Sequence, residues 1–303
     1  MSTASGSMEP MPHLLIAIER VFCWFLLYSF VGWLWETGLN IVMKKRFVDR
    51  GMLNGPLCPI YGFGAMIVLF ALAGEHQPLV IFLSSGVLAC TLEYVTSWGI
   101  EKLFHVRFWD YSNKPFNING RVYLNGFVAF GLGATAVKLW VQPWVLGWLD
   151  RIPAVPLAVV SGILLAMLLA DAAVTLAGLI SLRSRLGHVE TDIKDWKQEK
   201  IAEIDPVITR ADEHLASART SADEKLAAAE SRADGHAAAV KADVARRLDS
   251  TRTGRHAEEL AAKVRHEFSY QQRRLIENYP TLEDLSRPKL VAEVRRLLKK
   301  DKK

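Results

Sequence analysis

Motifs of catalysis and metal binding are missing from this sequence. Its three cysteines, Cys23, Cys58 and Cys90, lie in or beside apolar runs without metal-site spacing. They read as small buried hydrophobes rather than a disulfide framework. There is no His-Glu-x-x-His, no Cys-x-x-Cys, no Ser-His-Asp arrangement and no paired-carboxylate signature. No intrinsic catalytic activity, cofactor or metal is therefore expected, and His105 reads as a structural loop histidine. A Gly-rich phosphate loop with its Lys and Ser/Thr is absent too, so the chain brings no ATPase motor. The first twelve residues lack a basic region, and the apolar run near Phe22 continues without an Ala-x-Ala site, so no signal peptide is expected.

Hydrophobicity dominates what is present. The 303 residues are 50% hydrophobic with a mean hydropathy of +0.13, and that average hides two unlike halves. Of the nine Trp, all but Trp196 precede residue 182, as does nearly every long apolar run. Beyond it Ala, Glu, Lys, Arg and Asp prevail. The expected architecture is all-α: a polytopic membrane bundle of about five spans, followed by a long cytoplasmic helical or coiled-coil tail. Domain limits are placed at 1–13 for a flexible N-terminus, 14–182 for the membrane domain and 183–303 for the tail. The spans fall at Val21–Met43, Leu57–Ala73, Leu79–Gly99, Val122–Trp140 and Val155–Ile180, each covering most or all of a hydrocarbon core about 30 Å thick. The second is the shortest, and Gly62, Gly64, Pro56 and Pro59 leave open a broken or re-entrant element.

Loop charge sets the expected orientation. Loop one carries Lys44, Lys45, Arg46 and Arg50, and loop three carries Lys102, Arg107, Lys114 and Arg121. Loop two has no Lys or Arg, loop four has only Arg151, and Arg183 and Arg185 follow the fifth span. The positive-inside rule then places the N-terminus outside and the tail in the cytoplasm. The net charge of +5 serves this topology, and with mixed charge along the tail no nucleic-acid partner is expected.

Acids inside apolar runs mark the candidate site, because a carboxylate at mid-membrane costs about 2.5–3.5 kcal/mol on insertion scales and so faces protein or water. Glu36, Glu93 and Asp171 lie past the midpoints of spans one, three and five, about four residues or roughly 6 Å toward the cytoplasmic side. A polar pocket opening inward is the expectation, with each acid merely bonding a neighbouring helix as the alternative. Asn54 in a Gly-Pro turn, and Asp110, Asn117, Asn119 and Arg121 in loop three, complete it. Arg121 is assigned to Glu36 or Glu93 as partner, with a positive-inside anchor as the competing role. Gly86, Gly126 and Gly133 are expected to allow close helix packing. Asp110 and Ser112 are expected to cap local turns.

Five separated motifs carry a family resemblance. Tyr28-x4-Trp33-x-Trp35-Glu36, Asn54-Gly-Pro-x-x-Pro-Ile-Tyr-Gly62, Leu92-Glu-Tyr94, Phe108-Trp-Asp-Tyr-Ser112 and Asn117-x-Asn-Gly-Arg121 together resemble the CmpB-like type IV ABC-transporter permease family of bacterial membrane proteins, over about residues 20–180. The resemblance implies a permease-like subunit and a separate ATPase partner. It transfers no substrate and no catalytic residue.

In the tail, Leu215, Ala218, Ala222, Leu226, Ala229, Ala233, Ala237, Val240, Val244 and Leu248 repeat with an eleven-residue period. That gives a nearly straight or slightly right-handed apolar stripe over 215–248, suited to a homo-oligomer or a partner helix. Pro206 is expected to interrupt the helix before it. Leu260, Val264 and Phe268 continue an apolar face, Pro280 stops it, and Pro288 starts a final helix. Transport of an unidentified solute is the leading function. A membrane scaffold or sensor acting through its tail, and a lipid-modifying enzyme, are the alternatives.

Overall fold

The computed structural model describes residues 11–45, 47, 51–223 and 252–300. The chain divides into two compact units, Met1–Ser181 with Arg274–Pro288, and Leu182–Arg273 with Lys289–Lys303. Helices carry nearly all of the described structure. They are α1 (Met11–Lys44), α2 (Pro59–Ala71), α3 (Pro78–Phe104), α4 (Leu124–Ala136), α5 (Gln142–Leu149), α6 (Ala154–Asp223), α7 (Arg252–Glu267), α8 (Tyr270–Asn278) and α9 (Pro288–Lys300). Two short strands, β1 (Val106–Arg107) and β2 (Glu283–Asp284), pair antiparallel.

Among the described residues, four stretches are long and apolar enough to cross a membrane: Leu14–Met43, Pro78–Phe104, Leu124–Leu149 and Ala154–Ala202. Their outer faces carry exposed Trp35, Leu83, Leu132, Ile163 and Leu169, side chains that need hydrocarbon rather than water around them. The third stretch is not uniform, because a π-helical turn at Val137–Val141 separates α4 from α5. Pro143 lacks the N–H that an α-helix needs there and its ring crowds the preceding turn, so the wider turn absorbs the misfit.

The expected second span takes a different form. Its helix α2 has 13 residues, about 20 Å of rise, too short to cross the core unaided. The other part is irregular backbone that reaches the middle of α1, where the Cys58 N–H donates to the carbonyl of Ser29 at 2.9 Å. From there α2 runs back along α1. Gly62 permits the approach, since a Cβ there would lie 2.6 Å from the Phe25 carbonyl oxygen. The Phe25 and Phe63 rings meet just beyond at a tilt of 58°, with ring centroids 4.9 Å apart. The glycine is thus a packing device rather than a helix break.

The remaining helices close around this pair. Gly86 of α3 lies against the Phe127 ring of α4, and Gly131 of α4 against the Phe82 carbonyl at 2.8 Å from a built Cβ. Gly133 meets nothing within 4 Å, so it does not share the packing role expected of it. Val145, Leu149 and Leu157 form a core against Trp24 and Leu27 of α1, and the Tyr28 hydroxyl donates to Gln142 at 2.5 Å.

The second unit has its own core of Leu186, Val189, Val264, Phe268, Val294 and Leu298, all essentially inaccessible. Lys263–Asp192 and Lys197–Glu293 ion pairs, at 2.7 and 2.8 Å, lie on its surface. Leu260, Val264 and Phe268 bury the face expected of them, α8 stops before Pro280, and α9 starts at Pro288. Pro206, in contrast, does not interrupt α6. It is exposed, so the carbonyl its missing N–H leaves unpaired can take water, and the helix continues through it. Residues 224–251, which hold most of the eleven-residue stripe from Leu215 to Leu248, lie outside the described residues.

Candidate functional site

The eight candidate residues fall into three groups rather than one pocket. The first group sits between α1, α2 and α3. Tyr61 is placed by the packing of α2 on Gly32, and its hydroxyl donates to Glu36 Oε1 at 2.7 Å. Glu93 of α3 lies within electrostatic reach of both Tyr61 and Glu36, and accepts a hydrogen bond from Tyr111. It is 7% exposed, and its Oε2 has no hydrogen-bond partner among the described residues. Two acids and two phenols thus meet inside the apolar bundle, where a buried carboxylate without full solvation binds a cation or a proton.

Asp171 belongs to a second group. Its carboxylate accepts the backbone N–H of Asn54 at 2.9 Å, the Asn54 amide at 2.9 Å and the N–H of Gly55 at 2.7 Å. On the other side of the same segment, Arg274 donates to the carbonyls of Met52, at 3.1 Å, and Leu53, at 2.5 Å. Irregular backbone leaves its N–H and carbonyl groups to be satisfied from outside the segment. An anion on its N–H groups and a cation on its carbonyls supply this.

Loop three forms the third group. Asn119 and Gly120 both have positive φ, 53° and 68°, as the two central residues of a tight hairpin turn that bridges Ile118 to Val122. Asp110 accepts the N–H and hydroxyl of Ser112 at 3.0 and 2.5 Å, which holds its carboxyl below the usual aspartate range, with Arg107 adding to the effect. Asn117 accepts the Gly120 N–H at 3.0 Å and donates to the carbonyls of Ser112 and Lys114. Asn119 donates to the Tyr94 hydroxyl at 2.9 Å. His105 caps α3 in the left-handed conformation, φ 56°, a structural role.

Arg121 pairs with neither Glu36 nor Glu93. Its guanidinium binds Glu101 and lies 5.1 Å from the centre of the Tyr94 ring. The other Glu101 oxygen takes Arg107 Nε at 2.6 Å, and that hydrogen bond raises the Arg107 pKa. Glu101 was not among the expected site residues. The available signal is its register: Glu93, Ser97 and Glu101 are buried at successive four-residue steps of α3, a polar stripe on one helix face. Tyr61 stands within a quoted motif, but its hydroxyl as a link between acids has no sequence mark. Beside these groups, Val87, Cys90, Thr91, Ile118 and Phe127 line an apolar recess of about 430 Å³, which none of the eight residues lines.

The four long apolar helices make this a multi-pass membrane protein. The family described as Putative ABC-transporter type IV matches residues 23–176, just over half of the chain, and the chain belongs to it. No curated protein and no solved structure matches the chain.

Proposed function

We propose that this chain is the permease-like membrane subunit of an ABC transporter for an unidentified solute, working with a separate ATPase subunit. In this reading it lies in the bacterial inner membrane with its N-terminus outside and its tail in the cytoplasm. The tail then serves homo-oligomer or partner contacts. The observation that carries the transport reading is the Glu36–Tyr61–Glu93 group beside the irregular stretch that leads into α2. A buried acid with an unfilled oxygen at the level where irregular backbone enters the bundle suits a step in which a proton or cationic group is bound and released. Family membership supports the same reading, and the bundle's lack of a phosphate-binding loop supports a partner that hydrolyses ATP.

Isolation of the tagged full-length chain from its native membrane in mild detergent tests this. A nucleotide-binding ATPase should come with it, and ATP hydrolysis by the reconstituted complex should fall several-fold in Glu93→Gln while the melting temperature stays within a few degrees. Isolation without any ATPase removes the transporter reading. Full hydrolysis by a well-folded Glu93→Gln complex removes Glu93 from its mechanism.

A further inference from the structure

The first compact unit contains a segment from far along the chain, Arg274–Pro288, and its contacts there are specific. Arg274 binds the Met52 and Leu53 carbonyls of loop one. The Thr281 hydroxyl donates to the Phe108 carbonyl at 2.8 Å, and the Leu285 N–H donates to the His105 carbonyl at 3.0 Å. Glu283 and Asp284 pair with Arg107 and Val106 as strand partners. Tyr279 meets Phe108 edge-on, with ring centroids 5.1 Å apart at 89°.

These contacts have the form of peptide recognition by strand addition. Main-chain bonds to an exposed edge supply affinity, and side chains on either side set register. The left-handed His105 turns the chain off the end of α3 and leaves residues 105–108 as an edge. A two-residue pairing is too short to persist alone, so the Arg274, Tyr279 and Thr281 anchors are what hold it. Loop one and loop three both lie within the family-matched residues 23–176, and the segment that fills them lies outside.

We propose that loops one and three together form a peptide-docking face, and that Arg274–Pro288 is its resident ligand, a clasp that ties the two loops to each other. The clasp acts on the site through both loops. Loop one carries Asn54 and Gly55 on Asp171, and loop three carries Arg107 and Arg121 on Glu101. Seated, it holds both groups in one arrangement; displaced, it releases residues 52–56 and 105–110 together.

Hydrogen exchange on the full-length protein in nanodiscs tests the coupling. Arg274→Ala with Thr281→Ala should raise exchange in both 52–56 and 105–110 by roughly tenfold or more, since the hydrogen bonds to Met52, Leu53 and Phe108 are all lost. The amides in the middle of α3 and α4 should not change. Photo-crosslinking on an otherwise unaltered chain gives a second reading that does not depend on a weakened clasp. A benzophenone amino acid replacing Tyr279 should couple to the peptide that contains Phe108. Exchange unchanged in both loops, or raised in one loop alone, overturns the proposal. So does a crosslink that forms only outside 105–110. If the double variant exchanges throughout, single Thr281→Ala and the crosslink decide.

Discussion

Asp171 on α6 holds Asn54 by two hydrogen bonds, one to its backbone N–H and one to its side-chain amide, both at 2.9 Å across 117 residues of sequence. The carboxylate uses its second oxygen on Gly55, so all three donors converge on one acid. Its function is then to stand in for the water that irregular backbone would need.

Asp171→Asn should therefore be more damaging than a change of one atom suggests. The amide keeps one acceptor but points a donor at an N–H, leaving at least one donor of the segment unmet, with the part-buried Gly55 N–H the costliest to lose. A loss of roughly 1–2 kcal/mol is expected. Cys58 is a built-in reporter, since it is buried at 7% exposure at the end of this segment. In a background without Cys23 and Cys90, a membrane-permeant maleimide should label Cys58 in the variant far faster than in the parent. Equal labelling rates would show that Asp171 does not anchor the segment.

Glycine packing gives a graded test of the helix contacts. Gly62→Ala drives a Cβ toward a backbone carbonyl of α1, at 2.6 Å, which cannot move aside without shifting α2. Gly86→Ala meets the Phe127 ring at 2.6 Å, and a ring can turn. Gly133→Ala meets nothing and gains helix propensity of up to about 1 kcal/mol. Melting temperatures in detergent should rank Gly62→Ala lowest, Gly86→Ala intermediate and Gly133→Ala at or above the parent. Equal values for the first two would mean that α2 can slide on α1.

The same contacts show what the sequence made legible. Glu36 and Glu93 stand out because charge inside an apolar run has few explanations. Asn-Gly at 119–120 announces its turn through backbone chemistry alone. The binding of Asp171 to Asn54 is not legible, because a backbone N–H carries no sequence mark and the partner is remote. Arg121 shows a different failure. A cation at the mouth of a span calls for an acid, but Glu101 sits beside Lys102 at a helix end and reads as an ordinary interfacial charge. The half-helical second span was legible as a short run with Gly and Pro. Its reach along α1 became visible only through the Cys58–Ser29 bond. The return of Arg274–Pro288 to the loops had no signal, since Pro280 and Pro288 mark where helices stop and start but not where the chain between them goes.

Glu101 closes loop three, and its removal should cost the most. One carboxylate, 7% exposed, faces two guanidiniums, Arg107 on one oxygen and Arg121 on the other. Deleting it leaves two cations facing each other in a desolvated site. Deleting either arginine leaves one ion pair in place. Glu101→Gln should thus destabilise by about 3–5 kcal/mol, the range for breaking a buried pair, and Arg107→Ala or Arg121→Ala by less. Arg121→Lys should not restore the parent, because an ammonium cannot both reach the carboxylate and lie flat over the Tyr94 ring. In a triple-mutant cycle, Glu101→Gln with Arg107→Ala and Arg121→Ala should cost less than the three changes summed, since removing the cations relieves their repulsion. Denaturation of the purified chain in mild detergent, followed by tryptophan fluorescence, measures all of these. Strict additivity across the set would mean that the three charges act separately, and that Glu101 is not the acid that organises the loop.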